Sequence, residues 1–326
     1  MECYFKSSRA ITRNKTAQVA VLLVVVVITL AFLVGCMGSP QYKKVSLKDG
    51  SQDVAATPFQ PNKTALRVAI AGVISPKETI RIYDPMLDYL GKKLDRPVQL
   101  VQRSTYAEIN DLLRSGGVDL AFVCGGAYIE GRKDFGMELL VVPVVRGEAV
   151  YHSFIIVPTD STVRQVEDLK GKTFAFTDPL SNSGRLAPIY MLLEKGETPE
   201  SFFKKYVFTY SHDNSIRAVA QKLVDAAAVD SLVYQYNEAH NPQYTAQTRI
   251  IWISPPYGSP PVVVHPGLNG QFKQQLRDVL LRMSDEEEGK VILKDLQIDQ
   301  FVVEDDRAYE SIREMYTKVR LQSGAE

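Results

Sequence analysis

The run Thr177-Asp178-Pro179-Leu180-Ser181-Asn182-Ser183-Gly184-Arg185 puts hydroxyl and amide donors in consecutive positions. It follows Lys172-Thr173-Phe174-Ala175-Phe176, whose apolar residues predict a buried strand, and precedes 186–193, which predicts a helix with Pro188 in its first turn. The first turn of a helix has backbone N–H groups without partners and a partial positive charge. With Ser181, Asn182 and Ser183 as hydroxyl and amide donors beside Gly184, such a loop can hold an anion. The plainer alternative is a serine or asparagine that caps its own helix. The loop by itself leaves both readings open.

Three further turns bring polar residues or glycines to a helix start: 73–77, 123–128 with Gly125 and Gly126, and 212–215 with His212. They punctuate an alternation of strands and helices. Apolar runs predict strands at 66–73, 97–101, 118–124, 139–145, 153–157, 172–176, 206–209, 224–229, 249–253 and 261–264. Ile80, Leu87, Leu90 and Leu94 recur at helical spacing, with Pro85 expected to break that stretch in two. Thr105-x-x-Glu108 has the form of a capping box. Beyond Gly270 the chain reads as mostly helical. The pattern predicts an α/β protein with two halves of about a hundred residues each, every half a mostly parallel sheet flanked by helices. Ligands bind such sheets beyond the carboxyl ends of the strands. If the halves face each other, the polar turns line one cleft, and helix N-termini aimed at one point suit a compact oxyanion.

The chain has 326 residues, 45% hydrophobic and 23% charged, which is enough for two domains with real cores. Lys plus Arg and Asp plus Glu both number 38, so no net charge invites nucleic acid. Lys6, Arg9, Arg13 and Lys15 precede a nearly unbroken apolar run over 19–34 that ends in Leu33-Val34-Gly35-Cys36. A basic region, an apolar region and a small residue before the cut describe a secretory signal. The alternative is one membrane-spanning anchor, for which the run is short, since about 20 residues are needed. The tetrapeptide resembles the lipobox of bacterial lipoproteins. That implies a signal peptide over 1–36 and a lipid on Cys36 that ties the chain to a membrane. Residues 37–65 are polar and aperiodic and read as a flexible tether. Cys124 is left as a lone apolar cysteine with no basic neighbour, so no disulfide framework is expected.

Nothing in the sequence announces catalysis. The histidines, His152, His212, His240 and His265, have no metal-ligand spacing, and neither a Gly-x-Ser-x-Gly elbow nor a phosphate-binding Gly-x-x-x-x-Gly-Lys loop occurs. Asp119, Asp178 and Asp230 fall at or just past strand ends, but spacing cannot pair them for acid–base work. A binding protein needs only donors, shape and a hinge.

Several segments, in order, resemble the phosphate/phosphite/phosphonate-binding components of bacterial ABC importers, a branch of the type II periplasmic binding proteins. They are Ser104-Thr105-Tyr106, Val118-Asp119-Leu120-Ala121-Phe122, the 177–184 run, Ser211-His212-Asp213-Asn214-Ser215, and the 224–231 and 254–261 stretches. The resemblance covers about 66–319. It implies two lobes, 66–150 with 261–326 and 151–260, joined by a two-strand hinge near 151–154 and 254–261. It further implies an exported, monomeric solute-binding protein, in the periplasm or on the cell surface, without enzymatic activity, metal or cofactor. Such a protein closes on a small phosphorus oxyanion and delivers it to an ABC permease and its ATPase.

Carried over by position, Tyr106 matches a tyrosine that donates to the bound oxyanion. Ser181, Asn182, Ser183 and Gly184 match a Ser-Thr-Ser-Gly anion loop, with Asn182 at the threonine, and His212 matches a ligand-contacting histidine. A second family tyrosine falls at Val123, where Tyr128 or the bare amides of Gly125 and Gly126 are the alternative donors; Asp230 lies nearby in sequence. The carboxylates that hold the amine in aminoalkylphosphonate binders fall at Leu232 and Ser259. An unpaired buried ammonium costs several kcal/mol. The expected ligand is therefore amine-free: phosphate, phosphite or a simple alkylphosphonate. The competing readings are a tethered sensor that reports to a signalling receptor, and an enzyme of the same fold acting on phosphonates.

Overall fold

The computed structural model describes residues 65–72 and 76–323, within one compact unit, Ala56–Glu326. The leader, Cys36 and the tether up to residue 64 lie outside the described residues, as do 73–75 of the first predicted turn.

In chain order, β1 (Leu66–Ile70) is followed by α1 (Pro76–Leu94), β2 (Val98–Val101), α2 (Tyr106–Arg114), β3 (Leu120–Phe122), α3 (Gly125–Phe135) and β4 (Glu138–Val144). The short β5 (Val150–Tyr151) leads to β6 (Ser153–Pro158), β7 (Thr173–Phe176), α4 (Ala187–Glu194), α5 (Pro199–Phe202) and β8 (Lys205–Phe208). Then come α6 (His212–Ala220), β9 (Ala226–Asp230), α7 (Ser231–His240), α8 (Pro242–Thr245) and β10 (Thr248–Ile253). The short β11 (Tyr257–Gly258) precedes β12 (Val262–Val264), α9 (Gly270–Arg282), α10 (Glu287–Asp295), β13 (Gln300–Val302) and α11 (Glu310–Ser323).

These strands form a six-stranded sheet in the order β13-β4-β12-β3-β1-β2 and a five-stranded sheet in the order β10-β6-β9-β7-β8. β12 is antiparallel to both its neighbours, which leaves β2, β1, β3 and β4 pointing one way. β6 is likewise antiparallel to both neighbours, which leaves β10, β9, β7 and β8 aligned. Each sheet thus has four strands pointing one way; β12 and β6 are the reversed strands next to a crossing of the chain, and β13 at the edge of the six-stranded sheet is also antiparallel to β4. The two crossings run side by side. Tyr151 pairs with Tyr257 in the β5–β11 ribbon, the Ser153 N–H donates to Ser254 Oγ at 2.9 Å, and the Ser254 N–H donates back to the Ser153 carbonyl at 3.0 Å.

The sheets are covered on both faces by helices, so their strands are apolar rather than alternating. β9 is buried along its whole length, and its Ala226, Ala227 and Ala228 leave room for the helices above and below. α1 corrects one expectation. It is a single 19-residue helix with Pro85 inside it. Proline in a helix interior costs about 3 kcal/mol, but Met86, Leu87, Tyr89 and Leu90 are buried in the core under the six-stranded sheet. Each such side chain returns about 1.5–3 kcal/mol, so packing outweighs the lost hydrogen bond.

Asp119, one of the carboxylates at a strand end, has a structural role. It is 2% exposed and takes the Arg67 N–H at 2.9 Å and its Nη2 at 2.8 Å, which locks β3 to β1. Removing one partner of a buried ion pair strands the other. Asp119→Ala is expected to lower the unfolding free energy by about 3 kcal/mol, measured by urea denaturation; a loss below about 0.5 kcal/mol, the range of a surface change, would show that the pair does not hold the strands.

Candidate functional site

The 177–185 loop leaves β7 and turns directly into a π-helical turn, Asn182–Leu186, which runs on into α4. Ser181 caps this turn, its Oγ accepting the Gly184 N–H at 2.9 Å. The plainer reading of Ser181 is thus realised, though its O–H keeps the ability to donate. Gly184 is required by space, because a Cβ there would lie 2.4 Å from Thr177 Oγ1. Asn182 donates its N–H to Cys124 Sγ at 3.3 Å and its Nδ2 to the Tyr151 hydroxyl at 3.0 Å. Ser183 is fully buried; its carbonyl accepts from Ser153 Oγ at 2.6 Å, and its own Oγ has no partner.

Two other helix starts are tied to this loop. α2 opens with the capping box the sequence predicts, Thr105 and Glu108 satisfying each other's backbone N–H groups. Its first residue, Tyr106, donates its N–H to Asp178 Oδ2 at 3.1 Å, while Asp178 Oδ1 takes the Leu180 N–H at 2.8 Å. The Tyr106 side chain is fully buried, and its hydroxyl has no partner. At α3, Gly126 touches the loop so closely that a Cβ would lie 2.2 Å from the Leu180 carbonyl oxygen. The starts of α2 and α3, which follow strands of the six-stranded sheet, therefore meet a loop of the five-stranded one.

α6 and α7 complete the cluster. His212, the first residue of α6, is fully buried. Its Nδ1 accepts the Asp230 N–H at 3.0 Å and lies 3.1 Å from Thr177 Oγ1. An Nδ1 that accepts leaves the proton on Nε2, and that N–H has no partner. Burial lowers the His212 pKa to about 3, so the ring is neutral and Nε2 is a donor at ordinary pH. Asp230 caps α7, its Oδ1 accepting from the Leu232 N–H at 2.7 Å and the Val233 N–H at 3.3 Å. Burial raises its pKa to about 7 against the opposing pull of those two bonds. Burial also pushes Tyr106 up and keeps it a donor, and it raises Asp178.

The structure thus gathers Tyr106, Ser181, Asn182, Ser183, Gly184, His212 and Asp230. It does not bring in Tyr128, whose hydroxyl donates to Asp306 at 2.5 Å and whose ring packs edge-on against Tyr309. Among the described residues, nine buried side-chain polar atoms lack partners, and five belong here: Tyr106 OH, Asn182 Oδ1, Ser183 Oγ, Ser211 Oγ and His212 Nε2. Sequence reasoning missed Ser211 as a separate group, as well as the positioning roles of Asp178, Thr177 and Tyr151. Asp178 carried a signal, an acid at a strand end before proline, but its partner lies 72 residues away. No cluster of three or more His, Cys, Asp or Glu suited to a metal occurs among the described residues.

Residues 68–309 match the family model for the periplasmic substrate-binding protein of phosphonate ABC transporters. The chain is 27% identical over 261 residues to the phosphonates-binding periplasmic protein of Escherichia coli K12, covering 78% of this chain and 77% of that one. It is 27% identical over 247 residues to a probable ABC transporter phosphite-binding protein of Prochlorococcus marinus, covering 71% and 81%. Among solved structures, a binding-protein component of an ABC phosphonate transporter from Pseudomonas aeruginosa superposes with a TM-score of 0.76 at 28% identity, covering 81% of this chain and 89% of that one.

His212 and Asp230 titrate with opposite effects on stability. The folded His212 pKa lies below its ordinary value, so the unfolded chain binds the extra proton and stability falls as pH drops from about 6.5 toward 3. The folded Asp230 pKa lies above its ordinary value, so stability falls as pH rises from about 4 through 7. Asp230→Asn keeps the cap and removes the charge. Its thermal midpoint relative to the wild type is expected to climb between pH 4 and 7 and level off above; a difference independent of pH would mean the carboxyl is not held neutral.

Proposed function

The chain belongs to the family of periplasmic substrate-binding proteins of phosphonate ABC transporters, and from that footing we propose that it captures a small phosphorus oxyanion at the Tyr106–Ser183–His212 cluster and delivers it to a membrane permease and its ATPase. The observation that carries this reading is the set of buried donors without protein acceptors: the Tyr106 and Ser183 hydroxyls and the His212 Nε2–H. A tetrahedral oxyanion offers acceptors in several directions at once, and a bond from each donor to a charged oxygen stabilises it by roughly 1.5–3 kcal/mol. The helix starts at α2, α6 and the π-helical turn add their partial positive charge. Asn182 joins the donors if its amide turns end for end, because Oδ1 then accepts from the Tyr151 hydroxyl and Nδ2 faces the anion.

The candidate ligands are phosphate, phosphite and a simple alkylphosphonate. Leu232 and Ser259 supply no countercharge for an amine. Asp230 does not replace them, since its Oδ1 is committed to capping α7 and burial favours its neutral form. Capture proceeds by closure of two lobes, 66–150 with 261–326 against 151–260, about the paired crossings. The family is periplasmic, so the protein is exported. The lipobox-like sequence at Cys36 supports anchoring by a lipid, with 37–65 as the tether, and the protein acts as a monomer.

Titration calorimetry tests this with Tyr106→Phe and Ser183→Ala. Each loses about tenfold or more in affinity for methylphosphonate or phosphate. Neither loses thermal stability, because the deleted hydroxyl has no partner in the protein. Wild-type affinity in both variants would place the ligand elsewhere, and tighter binding of 2-aminoethylphosphonate than of all amine-free ligands would refute the chosen ligand class.

A further inference from the structure

A cavity of about 140 Å³ lies between the two sheets, lined by Ile70 and Phe122 at the ends of β1 and β3, Tyr83 of α1, and Val123, Leu232 and Pro260. It adjoins the oxyanion cluster at two places. Val123 precedes Cys124, whose Sγ takes the Asn182 N–H. Asp230, the one carboxylate in the lining, gives its N–H to His212 Nδ1. The remaining polar side chains of the lining, Gln235, Gln297 and the hydroxyl-bearing Tyr83 and Tyr236, leave most of the wall hydrocarbon. A space of about 150 Å³ admits a guest the size of benzene, and a mostly hydrocarbon wall with a few polar groups favours an apolar one. The two positions at which the sequence departs most from a polar subsite, Val123 and Leu232, both face this space.

We infer that the preferred ligand carries a hydrocarbon group of about four to six carbons, an alkyl- or arylphosphonate whose head sits at Tyr106, Ser183 and His212 and whose tail fills this cavity past Val123 and Leu232. The inference rests on the phosphorus-oxyanion reading above and adds the class of substituent. Burying apolar surface of the ligand supplies affinity that phosphate and methylphosphonate cannot draw on, roughly fourfold for each methylene removed from water.

The full-length protein in nanodiscs, titrated calorimetrically with inorganic phosphate, methylphosphonate, butylphosphonate and phenylphosphonate, tests this. Butyl- or phenylphosphonate is expected to bind at least tenfold more tightly than methylphosphonate. Leu232→Phe, which fills the cavity, should shrink that ratio. Methylphosphonate binding as tightly as both longer ligands overturns the inference and leaves the oxyanion site standing. Failure of all four to bind overturns both. A tenfold preference untouched by Leu232→Phe also overturns it, because the tail then lies outside the cavity.

Discussion

Taking a hydroxyl or ring N–H out of water without giving it an acceptor costs about 1–3 kcal/mol, and Tyr106, Ser183 and His212 each bear such a group at one seam. The chain has ample means to satisfy polar groups, as the Thr105 and Asp230 caps show. The surrounding contacts hold these three donors in place without satisfying them. Asp178 fixes the backbone of Tyr106 and Leu180, the Asp230 N–H sets the tautomer of His212, and Ser153 grips the Ser183 carbonyl. The side chains that touch the donors' backbones are spent on orientation. That division of labour is what an anion site requires, since donors already aligned lose little entropy on binding.

The two edges of the seam mix apolar and polar contacts differently. Along one, α11 packs against both α3 and α4, and its Ile312 and Met315 share a core with Leu186, Ala187 and Tyr257. Along the other, polar meetings such as the Asp178 bond to Tyr106 lie beside apolar ones, where Ile82 of α1 shares a core with Phe154, Val233 and Tyr234. Apolar packing is non-directional and survives small rotations, whereas a hydrogen bond is lost beyond a few tenths of an ångström.

Much of the fold was legible because burial writes itself into the sequence as period and composition. Apart from the two-residue β5 and β11, the strands from β1 to β12 coincide with apolar runs, and Thr105-x-x-Glu108 forms the box it spells. α1 ran through Pro85 because tertiary packing overrode a local penalty. α7 went unseen because its apolar residues do not form one clear stripe and its cap, Asp230, looked like the end of a strand. Of the site, the donor types were readable and their neighbours were not. Tyr106 and Asp178 lie 72 positions apart, and no local pattern links them. Tyr128 illustrates the converse: it had the right chemistry next to the right turn, and a carboxylate 178 residues away claimed its hydroxyl.

Cys124 sits beneath this arrangement, the one cysteine among the described residues, buried and receiving the Asn182 N–H across the seam. Burial keeps its thiol protonated and unreactive. An alkylating reagent can reach the sulfur only after the loop that covers it withdraws, so the rate of labelling measures how often the Asn182 loop leaves Cys124. Under the closure proposed above, that thiol is a built-in clock for opening, which a guest bound between the lobes slows.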